Sequence, residues 1–542
     1  MTILPLGDSA VVIDLGENTG PAIAARARAI ADQIVRRRPA WVIDVVPAFA
    51  SVAVHYDPLR APEFEMLQIE VAELAALEGS AASVAPKTVA IPVVYGGDAG
   101  PDLAGVAQHA GLSRAEVIAR HSAVVYEVSA IGFSPGFPYL GGLPPELATP
   151  RRPTPRTSVP AGSVGIGGAQ TGIYPRESPG GWNLIGRTPL ALFDPHRSAP
   201  AYLHAGDRVM FHPVAAAEFQ SAAKASAAVH NDASTAAIEV ARPGVFTTVQ
   251  DLGRPGHRAQ GVALGGAADA LALRVANLLV GNAETEAALE FTLAGPELIF
   301  RRDALVAVCG AEIDGVPEGR PMPIRAGQTL DLGRLRHGCR GYLAVAGGID
   351  VPIVLGSRGT DVRGGFGGWA GRALHAGDCL SVPDFHRDPG EHWHIDRRIF
   401  PPPGPPVFLR VVAGRHTDDF DAVWLAHEFK ASPQSDRMGV RLSGATMLRR
   451  TARELISAPV TPGTVQVPPD GRPIVLLADA QTIGGYPRLA HVITVDLARA
   501  AQLRPGDSVR FTMVPLAEAR RLLREREHRL DLLRAGLAQK LH

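Results

Sequence analysis

Lysine is almost missing from this 542-residue chain: Lys87, Lys224, Lys430 and Lys540 are the four, and arginine carries the rest of the positive charge. A catalytic or phosphate-gripping lysine would have to be one of these, and none lies in a glycine-rich phosphate loop of the GxxxxGK[ST] kind. Cysteine is as scarce. Cys309, Cys339 and Cys379 form no CxxC pair and no zinc spacing, so each reads as a small buried apolar residue. Aromatic residues are 6% of the chain and the formal net charge is +0, which removes the electrostatic case for nucleic acid or an anionic membrane as partner. No stretch approaches a membrane-spanning apolar run, and the opening MTILPLGDSAVVIDLGE has acidic residues where a secretory leader needs a basic flank and a long apolar core. A cytoplasmic location is expected. A complete GxGxxG fingerprint, a GxSxG elbow and an HExxH pair are also lacking, and HWH at 392–394 falls in a Pro-rich stretch that reads as solvated loop, so no metal site is expected.

What the chain has in quantity is glycine and proline, 58 and 46 residues, punctuating short β-branched runs. The length exceeds what one hydrophobic core supports. Residues 1–85 read β-β-α-β-β-α, a small α/β domain with helical spacing at 19–37 and 61–78. Residues 88–213 hold one helical pattern, 101–120, among many short strands, which points to a barrel. An Ala-rich linker follows at 214–236. Residues 237–385 repeat the strand-and-turn texture around a helix at 267–280 and are expected as a second barrel, a Pro-rich linker covers 386–406, and a third barrel is expected at 407–514. The end, 515–542, is a charged helix with Leu516, Leu523, Leu530 and Leu537 at intervals of seven, a stripe too short for a coiled coil and read as a docking face. The fold class is therefore α+β, mostly β: an α/β domain, tandem barrels and a C-terminal helix.

Internal similarity supports the tandem reading. LHAGDRVMF (203–211), LHAGDCLSV (374–382) and LRPGDSVRF (503–511) each place a Gly-Asp turn before a closing strand. AQTGIYP (169–175) and AQTIGGYP (480–487) share Gln, Thr, Tyr and Pro, and VPAGSVGI and VPPDGRPIVLL precede them. Glutamine offers a carbonyl and an NH2 side by side and can pair with another amide in both directions, while tyrosine offers a flat wall. Gln170 with Tyr174 and Gln481 with Tyr486 thus suit a small amide-like ligand. The alternative is that each Gln closes a turn and each Tyr packs on a barrel wall. Of the two, the second copy has the richer surroundings, because Asp479, an extra glycine and Arg488 flank its Gln.

Arginine in Gly-rich loops suits carboxylates or phosphates. Arg187 follows the double glycine of SPGGWNLIGRTP; Gln250, Asp251 and Arg254 stand together in TTVQDLGRPG; Arg358 lies in LGSRGTDVRGGFGGWAGR; and Asp436 and Arg437 adjoin in SPQSDRMGVRL. In each case an Asp–Arg pair that braces a loop is the competing reading.

The stretches GFSPGFPYLGGL and VPAGSVGIGGAQTGIYPRESPGGWNLIGRTP resemble the B subunit of 5-oxoprolinase, also known as allophanate hydrolase subunit 1 or the Kip type. PGVFTTVQDLGRPGHRAQGV, GYLAVAGGIDVPIVLGSRGTD, SDRMGVRL and ADAQTIGGYPRLAHVI resemble the C subunit of the same enzyme, or allophanate hydrolase subunit 2. The chain is similar to a fusion of the two from residue 1 to about 515. The resemblance implies cyclophilin-like barrels and the opening of 5-oxo-L-proline to L-glutamate with ATP, and Mg2+, as co-substrate. It implies a separate 5-oxoprolinase A subunit as partner, hence a homo- or hetero-oligomer, and no biotin attachment site. On that reading Gln170 and Gln481 recognise the amide with Tyr174 and Tyr486 as walls. Arg187, Arg254, Arg358 and Arg437 take anions, and Asp251 and Asp436 orient them or serve as base, with Gln250 and Asp479 as further substrate contacts. A carboxyltransferase acting on urea or a related amide, and a Kip-type inhibitor of a sensor histidine kinase, are the alternatives within the same resemblance.

Overall fold

Alternating β-branched residues at the N-terminus form an antiparallel sheet in the order Thr2–Pro5, Ala10–Asp14, Ser51–Tyr56, Val42–Pro47. The computed structural model describes residues 1–16, 20–76, 86–216, 236–384, 393–401, 404, 406–451 and 455–540. Helices α1 (Pro21–Arg37) and α2 (Phe64–Ala76) cover this sheet, with Ala27, Ile30 and Ile34 packed against Val11, Ile13, Val52 and Val54. The β-β-α-β-β-α reading holds. The linker at 78–87 and the Ala-rich linker at 214–236 fall almost wholly outside the described residues, as does much of 386–406.

Seven strands then close a barrel, in the order Ser163–Gly167, Asn183–Arg187, Thr88–Tyr95, Arg208–Pro213, Val125–Ile131, Pro138–Gly141, Gln170–Ile173. The single helix expected at 101–120 is two. α3 (Leu103–Ala110) ends where Gly111 turns left-handed at φ 66, and α4 (Arg114–Ser122) restarts behind a capping box of Ser113 and Glu116. Residues 407–513 close a second barrel in the order Thr464–Gln466, Arg488–Val492, Val407–Ala413, Ser508–Met513, Phe429–Ala431, Gly439–Ser443, Ile474–Leu476. Strand for strand the two circuits match. In both, the first strand in sequence lies parallel to the last, the strand that follows the Gly-Asp turn. The repeat read from those closing strands is real.

The QT motifs, however, are not equivalent positions. Gln170 opens the strand that corresponds to Ile474–Leu476, whereas Gln481 lies in the loop beyond that strand. The middle segment also departs from expectation. Residues 237–385 form a four-stranded and a five-stranded sheet rather than a closed barrel, packed over one core in which Val240, Leu298 and Phe300 meet Val249, Leu289, Val306 and Leu343. Its Gly-Asp strand, Cys379–Leu380, pairs antiparallel with Ile238–Arg242, which is the physical reason the parallel barrel closure is missing. Helix α5 (Ala270–Leu279), capped by Asp269, lies on the outer face of the five-stranded sheet. The three cysteines are buried, and no helix among the described residues is long and apolar enough to cross a membrane.

The short α6 (Leu497–Ala501) leads into the last strand, and α7 (Leu516–Leu537) ends the chain. Three of its heptad leucines, Leu523, Leu530 and Leu537, are buried, and Leu530 and Leu537 join the α5 core. Arg274 of α5 grips Glu527 through two bonds of 2.8 and 2.6 Å, and Arg520 donates to the Ala61 carbonyl at 2.9 Å. One helix therefore touches the N-terminal domain, the middle sheets and the second barrel. Leu530→Ala should cost about 2–5 kcal/mol, the usual range for emptying a packed site. Leu532, 61% exposed on the same helix, should tolerate alanine with little change. Urea denaturation of both variants checks the docking face directly.

Candidate functional site

The loop after strand Thr247–Gln250 is built by Asp251, whose carboxylate turns back on its own chain. Oδ1 accepts from Gly253 N–H at 2.8 Å and from Ser357 Oγ–H at 2.7 Å, and Oδ2 accepts from Arg358 N–H at 2.6 Å. This ties TTVQDLGRPG to LGSRGTD, two motifs about a hundred residues apart. Gln250 is fully buried: its Nε2 donates to Thr248 Oγ1 and to the Thr360 carbonyl, both at 3.1 Å, while Oε1 has no hydrogen-bond donor. Arg254 is also fully buried. Its Nη2 donates to the Gly359 carbonyl, but Nε and Nη1 have no hydrogen-bond partner, and Asp361 Oδ2 is 3.9 Å from Nη1.

The Gly-rich loop 355–372 closes over this guanidinium. Phe366 lies with its ring centre 5.0 Å from the Arg254 Cζ and contacts Phe193 of the first barrel domain at 5.8 Å between ring centres. Gly367, at φ 69, must be glycine here, since a Cβ would come within 2.9 Å of Arg254 Nη2. A second arginine, Arg176 of the first barrel's Tyr-Pro-Arg stretch, reaches the same loop beside Gly365 and makes no hydrogen bond among the described residues. Burial pushes both guanidiniums below the usual arginine range, and Asp361 opposes the shift in each. Asp361 stands out in the Gly-rich stretch beside Arg358, whereas Arg176 carries no signal of its own; only the fold shows that the two face one another.

Arg437 and Asp479 lie next door with a different character. Arg437 Nε and Nη2 grip Asp479 at 2.8 and 2.9 Å, Nη2 also donates to the Gly266 carbonyl at 2.6 Å, and Nη1 donates to Glu290. Glu290 accepts in turn from Tyr342 Oη–H at 2.7 Å and Ala268 N–H at 2.9 Å. Tyr342 Oη accepts from Asp269 N–H at 2.8 Å, and Gln502 donates to Asp269 at 2.8 Å. Every nitrogen of Arg437 is engaged, so this pair braces the middle sheets against the second barrel and is not the anion site expected of it. Asp436 shapes the turn before it, accepting from Met438 and Gly439 N–H at 2.8 and 3.2 Å. Glu290, the hub of the network, carried no signal in the sequence.

The remaining candidates separate. Tyr174 is buried in an edge-to-face cluster with Phe133, Phe137 and Trp182, in the apolar seam between the barrel's outer wall and the N-terminal sheet, and burial pushes its hydroxyl up to about 12. Arg187 donates to the Ala161 carbonyl at 2.7 Å. Gln481 donates to Gln466 Oε1 at 3.3 Å, Tyr486 is 44% exposed, and Arg488 is buried against the Pro459 carbonyl at 3.3 Å. Asp479, the acid of the richer-looking second copy, is held by Arg437. Gln170 lines a cavity of about 520 Å³ against the outer wall of the first barrel.

The junction is continuous across the two halves of the chain. Asp44 accepts from Gly256 N–H and Arg258, both at 2.9 Å; Asp8 accepts from Thr494; and Ile483 packs so close to Gly132 that a Cβ there would lie 2.7 Å away. Two cyclophilin-like barrels joined through a sandwich, with a buried arginine–amide cluster where they meet, define a carboxyltransferase-type barrel protein. Residues 1–203 match the family described as carboxyltransferase domain, subdomain C and D, and residues 260–513 match carboxyltransferase domain, subdomain A and B. The C-terminal part is 42% identical over 316 residues to the 5-oxoprolinase C subunit of Escherichia coli K12, covering 56% of this chain and 99% of that one. The N-terminal part is 47% identical over 214 residues to the 5-oxoprolinase B subunit of Escherichia coli O157:H7, covering 38% of this chain and 94% of that one. The crystal structure of TTHA0988 superposes over 93% of this chain and 99% of its own at 37% identity, with a TM-score of 0.80. The chain belongs to the family of 5-oxoprolinase B-type and C-type subunits, with both types in one polypeptide.

Removing Arg437 leaves Glu290 and Asp479 buried without a partner, so Arg437→Met should destabilise by about 3–5 kcal/mol. Arg254→Met leaves the Gly359 carbonyl and Asp361 without this cation but also removes a guanidinium whose Nε and Nη1 lack hydrogen bonds, and should cost less than Arg437→Met. Thermal denaturation of the two variants side by side tests the division between brace and site.

Proposed function

We propose that this chain is the combined B-type and C-type component of an ATP-dependent 5-oxoprolinase, opening 5-oxo-L-proline to L-glutamate together with a separate A-type subunit. The observation that carries the reading is the near full-length similarity to both subunit types on one chain, packed across one buried junction. The geometry of that junction supports it. A lactam presents a C=O acceptor and an N–H donor on one edge. Among the buried atoms without hydrogen-bond partners there, three are the complement: Gln250 Oε1 as acceptor, Arg254 Nε–H and Nη1–H as donors.

Bound in the assembled enzyme, ATP would supply a phosphoryl group to the lactam oxygen with release of ADP; one water then adds to the activated carbon, the C–N bond breaks with the nitrogen protonated as the amine of glutamate, and a second water releases phosphate from the acyl carbon. The residues of this chain do the rest. Arg254 stabilises negative charge as it develops on the lactam oxygen, in a site that excludes water and so strengthens the interaction. Gln250 fixes the ring by accepting its N–H. Arg176 and Arg358 surround the loop with positive charge suited to the ring carboxylate. Asp251, held by three hydrogen bonds, positions the Arg358 loop rather than acting as base. Because Arg254 is fully buried, ligand entry requires the 355–372 loop to lift.

The purified chain alone should form little or no glutamate from 5-oxoproline, and addition of the A-type partner should yield glutamate and ADP in a 5-oxoproline-dependent way. Full turnover by the chain alone would overturn the divided-enzyme reading. In the reconstituted enzyme Arg254→Met should lower kcat about 10²–10³-fold, the cost of losing one preorganised donor to a developing oxyanion. Retained kcat in that variant would remove Arg254 from the chemistry.

A further inference from the structure

The Gly-rich loop over Arg254 is anchored at both ends and held at its tip by little. At its start, Ser357 Oγ–H and Arg358 N–H bond Asp251, Thr360 N–H donates to the Val249 carbonyl at 2.9 Å, and the Thr360 carbonyl accepts from Gln250. At its far end, Trp369 is buried in the core of the middle sheets and Leu374 N–H donates to the Thr247 carbonyl at 2.8 Å. Between these anchors lies the tip, DVRGGFGG at 361–368, in which four of eight residues are glycine and bring no side chain to hold it down. Val362 is exposed, and Arg363 meets the Met438 sulfur at 2.8 Å. Asp361 N–H donates to the Phe366 carbonyl at 2.9 Å and Gly364 N–H to the Asp361 carboxylate, so the tip is a small turn closed on itself.

The tip's one large apolar side chain is Phe366. It is buried in a small cluster apart from the main cores, made with Val262, Val354, Leu355 and Phe193. The ring that covers Arg254 is thus the ring that meets Phe193, tilted 37° to it. Phe193 comes from the other half of the chain, and its backbone is held without the loop. It bridges to Ala201, Tyr202 N–H donates to the Leu192 carbonyl at 2.8 Å, and Asp194 N–H donates to the Pro200 carbonyl at 2.9 Å. Behind it, Gly136 lies so close that a Cβ there would come within 2.8 Å of the Phe193 Cβ. Phe193 is a fixed post. A cluster this small opens at far lower cost than a domain core, which is what a cover over a binding group needs.

We propose that residues 361–368 are a lid over Arg254 and that Phe193, a positioning residue on the B-type half, is its latch. The lid and the arginine beneath it belong to the C-type half, so access to the site depends on how the two halves are docked. The proposal rests on the reading of Arg254 as a site residue but not on the identity of the ligand.

Hydrogen exchange of the full chain without ligand, read by mass spectrometry in wild type, Phe193→Ala and Phe193→Leu, tests the lid directly. Phenylglyoxal, an arginine reagent mapped at residue 254 in the same proteins, reads access to the guanidinium below. Phe193 is partly buried on a hairpin closed by backbone bonds, so both variants should keep the wild-type melting temperature. The expected result is exchange at 361–371 about tenfold faster in Phe193→Ala, as befits the loss of an aromatic pair. Exchange at 358–360 and in strand Thr247–Gln250 should be unchanged, Phe193→Leu should lie nearer wild type, and Arg254 should be modified faster in the same order. Unchanged exchange of the tip in Phe193→Ala, equal acceleration of tip and anchors, or faster exchange with no gain in Arg254 modification would each overturn the proposal. If the expected exchange pattern is found but the chain with its A-type partner opens no 5-oxoproline, the latch stands and the lactam reading falls.

Discussion

A guanidinium buried between two carboxylates fixes the geometry of the whole junction. Arg437 holds Asp479 on its own side and Glu290 across the boundary, and its bond to the Gly266 carbonyl pins the chain just after Arg254. Gly265 N–H donates to the Ala478 carbonyl and Ala267 N–H to the Asp251 carbonyl, so the loop carrying Gln250, Asp251 and Arg254 is laced to the second barrel at several points. Charges removed from water are tolerable only when every one is matched. Here the matching runs on through Tyr342, Asp269 and Gln502. Against that satisfied network, the unpaired atoms of Arg254 and Gln250 stand out as groups held ready by their surroundings.

The same boundary explains what one polypeptide gains from carrying both subunit types. The contacts between halves are individually modest: the buried Asp44–Arg258 pair, Asp8 with Thr494, the Arg520 grip on the N-terminal domain, the close approach of Ile483 to Gly132. Linking the halves makes their association intramolecular and raises its effective concentration without any new contact. Helix α7, beyond the matched family regions, adds a strap over the seam.

Much of the fold was legible because it is local. The α/β order, the Gly-Asp closing strands and the heptad leucines of α7 are each written within a few residues, and each appears where the pattern put it. What failed was inference from likeness between distant motifs. AQTGIYP and AQTIGGYP share letters yet occupy a strand in one barrel and a loop in the other, and a one-strand offset cannot be seen without the pairing. The middle segment carries the same closing signal as the barrels, yet its strand pairs antiparallel. Gln250, Asp251, Arg254 and Arg358 were legible as candidates because amide, acid and arginine in Gly-rich loops advertise chemistry, and the fold brings their two loops together. Glu290 was not, because it sits in the apolar strand Ala288–Thr292 and its role depends on a partner 147 residues away.

The central claim is that the two halves together present an amide edge and a cation to one small ligand at their junction. A crystal structure of the full chain with the A-type partner and bound 5-oxoproline tests it most directly. The account predicts the lactam oxygen within hydrogen-bond distance of Arg254 Nε or Nη1, the ring N–H on Gln250 Oε1, and the 355–372 loop shifted to admit it. The ligand bound elsewhere, with Arg254 and Gln250 still untouched beneath a closed loop, would contradict it.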